Sequence, residues 1–209
     1  MADRIFDLKR IPEAAIRRSG FEWYLDQEYL VTDAILLEPE EADEYIRIAE
    51  EAIDLFNETV DRIINAAEWD RFSFPIPMRE MIQHSWDRGD THLLARFDMS
   101  GGIMGMKSII YELNADTPTM LPETLLFQPL FKDEIRRSSV TQFNRLRSEL
   151  VQAFKEILSK NTHRSPTLVV CSLGYEEDVL NAKVLVEIAQ EAGFEAQYSD
   201  LEHVVFEED

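Results

Sequence analysis

The sequence predicts an α/β protein with a helical N-terminal part, a central mixed sheet that carries a hairpin, and a C-terminal βαβ unit. Three patterns indicate this class: a long amphipathic helix near residues 39–67, alternating polar residues around glycines in 93–114, and strand, helix and strand within 167–199. The 209 residues, 45% of them hydrophobic, suffice for a sizeable core. We divide the chain into a helical and sheet region, 1–162, and the βαβ unit, 163–209.

The first long helix has apolar residues three and four apart, so one face is apolar and the acids occupy the other. These residues are Ile46, Ala49, Ile53, Phe56, Val60 and Ile63. Pro39 suits the first turn of this helix because a proline there loses no hydrogen bond. Before the helix, Tyr29–Leu37 predicts a short strand. After it, the two prolines of Phe74-Pro75-Ile76-Pro77 predict a loop or extended connector.

A second long helical pattern covers Glu134–Lys160. Its apolar face contains Val140, Phe143, Leu146, Leu150, Phe154 and Ile157. Helical spacing of this kind predicts one continuous amphipathic helix. Ser165-Pro166 then predicts a linker.

The last section of the chain predicts a βαβ unit. A strand at Thr167–Ser172 is followed by a helix at about 177–192, which Gly193 closes, and by a short strand at about 195–199. Strands joined through a helix in this way commonly belong to a parallel sheet.

Two polar strands predict the candidate metal site. Alternation places Arg96 and Asp98 on one face of the strand Leu93–Met99, and Glu112 and Asn114 on one face of the strand that returns after the glycine turn. If the strands pair, two carboxylates and an amide oxygen converge, which are ligands that suit Mg²⁺. Arg96 beside them could hold a phosphate oxygen. The same spacing also fits the solvated face of an antiparallel sheet, so both interpretations stay open.

More specific strings surround these strands. Ala95-Arg96-Phe97-Asp98 and Tyr111-Glu112-Leu113-Asn114-Ala115-Asp116-Thr117-Pro118-Thr119 resemble the signature of the glutathionylspermidine synthase family, which are ATP-grasp carbon–nitrogen ligases. The resemblance extends over nearly the whole chain. It includes Gly20-Phe21-Glu22-Trp23, Ser85-Trp86, Glu123, Gln128, Glu176-Glu177-Asp178 and Ala192-Gly193-Phe194.

The resemblance implies roles for the residues of the polar strands. Asp98, Glu112 and Asn114 match the positions that hold Mg²⁺ in the family, and Arg96 matches an arginine at the nucleotide phosphates and the activated carboxylate. The family reaction uses ATP to convert a carboxyl group into an acyl phosphate, which an amine attacks to give an amide. ATP and Mg²⁺ are therefore the implied co-substrate and cofactor.

The resemblance also implies which residues contact the substrates. Thr117 falls where the family has a small hydroxyl residue that contacts the peptide substrate, and Glu176 and Glu177 fall near acidic positions that receive the amine and peptide. Two acids at a helix start are also favoured by the helix dipole alone, so the structural interpretation of Glu176 and Glu177 stays open.

The nucleotide half of such a site has no counterpart that we recognise in the sequence. In the family, the ATP-grasp lobe follows the region where this chain stops, and no Gly-x-x-x-x-Gly-Lys string occurs here. Gly101, Gly102 and Gly105 fit a hairpin turn better than a phosphate cradle. We expect a piece of a longer ligase or a short form that has lost or delegates ATP binding; the alternative is a non-catalytic binding or assembly module.

Charge and composition exclude several other classes. The chain has 21 Lys and Arg against 41 Asp and Glu, a formal net charge of −20, which argues against nucleic-acid binding through phosphate neutralisation and against an anionic membrane surface. Cys171 cannot form an internal disulfide because it is the one cysteine, and the first residues lack the apolar core of a signal peptide. We therefore expect a cytoplasmic protein, and the family resemblance implies that its partners are small-molecule substrates.

Overall fold

The computed structural model describes residues 4–115, 119–135, 139–160 and 165–205 and confirms the α/β class. The helices of this part are α1 (Glu13–Arg18), α2 (Trp23–Asp26), α3 (Pro39–Asn65), α4 (Ile76–Arg88), α5 (Gln128–Ile135), α6 (Leu146–Lys160) and α7 (Glu176–Ala192). Its strands are β1 (Ile5–Asp7), β2 (Asp33–Ile35), β3 (Arg96–Ser100), β4 (Ile109–Asn114), β5 (Thr167–Ser172) and β6 (Glu195–Asp200). A π-helical turn, Glu123–Phe127, leads directly into α5.

The described strands form three separate two-stranded sheets, which corrects the expectation of one central mixed sheet. The pairs are β1 with β2, β3 with β4, and β5 with β6. β1 and β2 run antiparallel and pair over only three residues each. The predicted strand at 29–37 is thus reduced to β2, because its pairing partner β1 is equally short.

The chain divides into two compact units. Unit 1 contains the described residues of Met1–Leu36, Leu93–Arg96 and Ala115–Asp209, and unit 2 contains Leu37–His92 and Phe97–Asn114. The division that we predicted from sequence lies between residues 162 and 163, which are outside the described part of the chain, so it stays a prediction.

Unit 1 contains the main hydrophobic core and the predicted βαβ unit. β5 and β6 pair in parallel, from Thr167 opposite Glu195 to Ser172 opposite Asp200, and α7 packs on both strands and on α6. The largest fully buried side chains of the described residues come from α1, α2, the π-helical turn and its preceding residues, α6 and α7. They are Ile16, Tyr24, Leu121, Pro122, Phe127, Leu150 and Ile188.

The prediction of one continuous helix over 134–160 is wrong at residues 139–145. Helix α6 begins at Leu146, and the described residues before it, 139–145, are not helical. The Asn144 side chain explains the start, since its Oδ1 accepts a hydrogen bond from the Leu146 amide at 2.9 Å and its Nδ2 donates to the Thr124 carbonyl at 2.6 Å. A local hydrogen bond therefore caps the helix where spacing predicts continuation, and a tertiary hydrogen bond to Thr124 holds the capping side chain in place.

The prolines at 75 and 77 begin a helix instead of interrupting the chain, which corrects the predicted connector. Helix α4 starts at Ile76 with Pro77 in its first turn. The Pro75 carbonyl accepts hydrogen bonds from the amides of Met78 and Arg79, at 3.0 and 3.1 Å. The missing proline N–H groups cost nothing here, because the first amides of a helix have no intrahelical partner.

Helix α3 of unit 2 confirms the first long helical pattern. It begins at Pro39, and the Glu38 amide donates to Glu41 Oε2 at 3.0 Å as part of a capping box. Within the part of the chain that the structure describes, no helix combines the length and apolar character required to cross a membrane.

Candidate functional site

The glycine turn between β3 and β4 is confirmed. The two strands are hydrogen-bonded neighbours, and a connection as short as residues 101–108 joins antiparallel strands. Gly101 and Gly102 have φ angles of 75° and 76°, and the Tyr45 hydroxyl donates to the Gly101 carbonyl. A Cβ at Gly102 would lie 2.7 Å from the Tyr45 ring, so these glycines serve the turn and its packing on α3.

Two of the three predicted metal ligands share a face of β4. Asn114 Nδ2 donates a hydrogen bond to Glu112 Oε1 at 3.0 Å, which places both side chains on the same side of the strand. Asp98 is half-buried on β3, the neighbouring strand. Because the bond uses the amide nitrogen of Asn114, its amide oxygen remains the group that suits a cation.

The chemistry of this donor set fits Mg²⁺, which takes few protein ligands and keeps several waters. Asp98, Glu112 and Asn114 provide two carboxylates and one amide oxygen. The described residues contain no group of three or more His, Cys, Asp or Glu that could hold a metal, and the predicted set has only two acids. The magnesium site therefore stays a prediction.

Arg96 is held by the segment that follows β4. Its Nη1 donates to Thr119 Oγ1 at 2.9 Å in a partly buried position, and both residues belong to unit 1. Arg96 and Thr119 come from the two strings that carry the family resemblance. Thr117, the predicted contact to the peptide substrate, lies outside the described residues.

A buried acid near this arginine is missed by the strand pattern. Both carboxylate oxygens of Glu123 are buried, and among the described residues neither has a partner with hydrogen-bonding geometry. The Tyr29 hydroxyl lies beside this carboxyl but donates to the Met120 sulfur at 3.7 Å. The signal available in the sequence is an acid inside the mostly apolar run Leu121–Phe127.

Burial controls the ionisation of this cluster. Burial raises the pKa of Glu123, the negative charge of Glu177 raises it further, and the charge of Arg96 lowers it. Burial and the charge of Glu123 likewise raise the pKa of Tyr29 to about 12. Tyr24 is fully buried, and burial raises the pKa of its hydroxyl as well. The cluster is thus a water-poor environment in which ionised groups are disfavoured.

The two predicted acids of α7 differ in their surroundings. Glu176 is exposed in the first turn, whereas Glu177 is half-buried, and its charge acts on Glu123 and Tyr24. Glu177 therefore belongs to the buried cluster. No contact among the described residues links Glu176 to this cluster.

Asn181, one turn after Glu177, is a second residue that the patterns miss. It is only 5% exposed, its Oδ1 accepts a hydrogen bond from the Leu121 amide at 3.0 Å, and its Nδ2 donates to the Glu177 carbonyl at 3.0 Å. In the sequence it appears as an ordinary polar position on a helix. Its tertiary partner lies 60 residues away, which no local pattern indicates.

Comparison with known proteins shows the family of the chain. The glutathionylspermidine synthase pre-ATP-grasp family matches residues 4–209, so the chain belongs to that family. A protein of Haemophilus influenzae (strain ATCC 51907 / DSM 11121 / KW20 / Rd), named "Putative acid--amine ligase", is 27% identical over 132 residues. The aligned region covers 63% of this chain and 33% of that relative, so the match spans about a third of the relative's length.

Proposed function

We propose that this chain is the substrate- and metal-binding part of an ATP-dependent acid–amine ligase of the glutathionylspermidine synthase type. Family membership supports the carbon–nitrogen ligase class, as does the name of the Haemophilus influenzae relative. The observation that carries the proposal is the hydrogen bond from Arg96 to Thr119, since it joins the two strings that define the resemblance.

In this proposal, the γ-phosphoryl group of ATP passes to a carboxylate oxygen of the acid substrate and gives an acyl phosphate and ADP. The neutral amine nitrogen then attacks the acyl carbon, the carbon–oxygen bond to phosphate breaks, phosphate leaves with the electron pair, and the proton lost from the nitrogen passes to that phosphate. Phosphoryl transfer depends mainly on positioning and on charge stabilisation. Arg96 supplies a planar, permanently charged fork that suits phosphate oxygens.

The metal role is assigned to Asp98, Glu112 and Asn114. A magnesium ion bound there would neutralise charge on the phosphoryl oxygens. The bond from Asn114 to Glu112 fixes the orientation of both side chains before any cation binds. Such pre-orientation lowers the entropy cost of assembling the site.

The substrate role is assigned to Thr117, Glu176 and Glu177. Glu177 is the better supported acid, because it is half-buried beside Glu123 and a cationic amine would relieve the repulsion between the two carboxylates. Glu176 lies exposed at the same helix start and would act at longer range.

A coupled assay tests the proposal. The natural protein that contains these residues is incubated with ATP, Mg²⁺, glutathione and spermidine, and ADP release and the amide product are measured by mass spectrometry. We expect ADP and amide in equal amounts, and no amide when spermidine or Mg²⁺ is omitted. Binding of the small molecules without turnover would contradict the ligase and support a non-catalytic binding module.

A further inference from the structure

Asn181 occupies a position that an apolar residue would normally hold. It is 5% exposed, and its helix neighbours Leu180, Ala182 and Val184 are buried in the core. A buried amide stabilises a fold little when compared with a well-packed apolar side chain of similar size. The burial of this amide therefore indicates that Asn181 has a role in positioning the segments that it bonds.

We propose that Asn181 is a positioning residue for the amine-binding side of the site, which holds the start of α7 against the segment that follows β4. The inference rests on the proposed function, because the substrate role of Glu177 belongs to that proposal. The two hydrogen bonds of one side chain carry it: Leu121 N–H to Oδ1 and Nδ2–H to the Glu177 carbonyl, both at 3.0 Å.

The first bond holds the segment that contains Thr119, which accepts the hydrogen bond of Arg96. Leu121 is two residues after Thr119, which accepts the hydrogen bond of Arg96, and two residues before Glu123. Leu121 itself is 1% exposed, so its amide has no access to solvent as a substitute partner. Loss of the bond would leave a buried donor unsatisfied and free the segment to shift.

The second bond acts on the backbone of Glu177. Asn181 lies four residues later on the same helix, and its Nδ2 donates to the Glu177 carbonyl in addition to the helical hydrogen bonds. The first turn of a helix is where fraying starts. This bond therefore restrains the residue whose carboxylate is proposed to meet the amine.

Together the two bonds make one side chain responsible for the spacing between Thr119 and Glu177. At one end of this connection Thr119 accepts the hydrogen bond of Arg96, and at the other end lies Glu177, the proposed contact to the amine. Loss of preorganisation at a binding contact weakens binding, so a buried connection of this kind matters for amine binding even though Asn181 touches no substrate.

Three substitutions of Asn181 distinguish the contributions of its two hydrogen bonds. Asn181→Asp keeps the acceptor for Leu121 and loses the donor to Glu177, whereas Asn181→Ser can donate to the carbonyl four residues earlier but is too short to reach Leu121. Asn181→Leu removes both bonds at similar volume. The matched control is Gln190→Leu, because Gln190 on the same helix also bonds a backbone carbonyl, that of Ala196, at 2.8 Å.

The natural protein is assayed with ATP, Mg²⁺, glutathione and varied spermidine. We expect Asn181→Leu to raise the KM for spermidine about tenfold, the equivalent of one displaced hydrogen bond, with kcat changed less. Asn181→Asp and Asn181→Ser should have smaller increases, and Gln190→Leu should lower the melting temperature without changing KM. An unchanged KM in Asn181→Leu would overturn the proposal and leave only a structural role.

Two further measurements distinguish failure of the positioning proposal from failure of the ligase proposal. In the 209-residue chain, hydrogen exchange of the Leu121 amide should be faster in Asn181→Leu and Asn181→Ser but still protected in Asn181→Asp. Calorimetric titration with spermidine should show weaker binding to Asn181→Leu than to the parent chain. If the natural protein has no ligase activity but the difference in spermidine binding persists, the proposed function fails and the positioning role stands. If the parent chain does not bind spermidine, the positioning role is overturned.

Discussion

Arg96 donates a hydrogen bond from one motif string to Thr119 of the other, and its removal should affect catalysis more than folding. We expect Arg96→Ala to lower kcat about a hundredfold or more in the natural protein, as for the loss of one preorganised electrostatic group. Arg96→Lys keeps the charge but loses the planar fork, so it should recover only part of the rate. Steady-state kinetics with matched thermal melts measure both effects.

The control for Arg96 is Arg147→Ala. Arg147 forms an exposed ion pair with Glu191 at 2.8 Å, and such pairs contribute little to stability. This control should leave kcat unchanged. A normal kcat in Arg96→Ala would assign Arg96 a structural role and contradict the catalytic one.

Glu123 should make stability depend on pH. Burial raises the pKa of this carboxyl above its ordinary value of 4.5, so the folded protein binds the proton more tightly than the unfolded chain. Its contribution to stability is fully present below about pH 4.5 and is lost as the pH rises through the folded-state pKa. Glu123→Gln cannot ionise and should be more stable than the parent at pH 8.

Thermal melts at pH 4 and pH 8 check this difference. We expect Glu123→Gln to raise the melting temperature at pH 8 by ~2–4 °C, which corresponds to ~1 kcal/mol in a chain of this size. The two proteins should melt alike at pH 4. Glu187→Gln, an exposed change in the middle of α7, is the control; an equal gain in that control would mean that net charge, and not burial of Glu123, causes the effect.

At the scale of elements, Asn144 decides where α6 begins. Its side chain caps the helix at Leu146 and also bonds the Thr124 carbonyl. We expect Asn144→Ala to lower the free energy of unfolding by ~1–2 kcal/mol, as for the loss of a helix cap. Asn144→Asp keeps the oxygen that accepts the capping hydrogen bond, so its free energy of unfolding should fall less. Urea unfolding measures both, and equal stability of Asn144→Ala and the parent would show that the cap does not hold the helix start.

Local patterns predict elements well where the helix or strand depends on its own residues. Helix α3 has an apolar face, a proline start and a capping box, and the strands and helix of the βαβ unit lie where the sequence predicts them. The pattern fails at 134–160, because Val140 and Phe143 keep helical spacing without being helical. Spacing alone does not register the hydrogen bond from Asn144 to Thr124.

At the scale of the whole molecule, we expect the 209-residue chain not to bind ATP stably by itself. Its sequence contains no Gly-x-x-x-x-Gly-Lys string, and Gly101 and Gly102 are used by the turn between β3 and β4. Isothermal titration with ATP and Mg²⁺ tests this expectation, with a matched titration into buffer as the control. Tight, stoichiometric binding would reveal a nucleotide site among these residues.

The sequence by itself determined the α/β class, the family and the candidate set of Arg96, Asp98, Glu112 and Asn114, because alternation and motif strings depend only on neighbouring residues. Only the tertiary structure revealed that Glu123 is a buried acid and that Asn181 joins Leu121 to the start of α7. Burial and long-range hydrogen bonds depend on how distant segments pack. Residues 60 positions apart leave no periodic trace of such a contact in the chain.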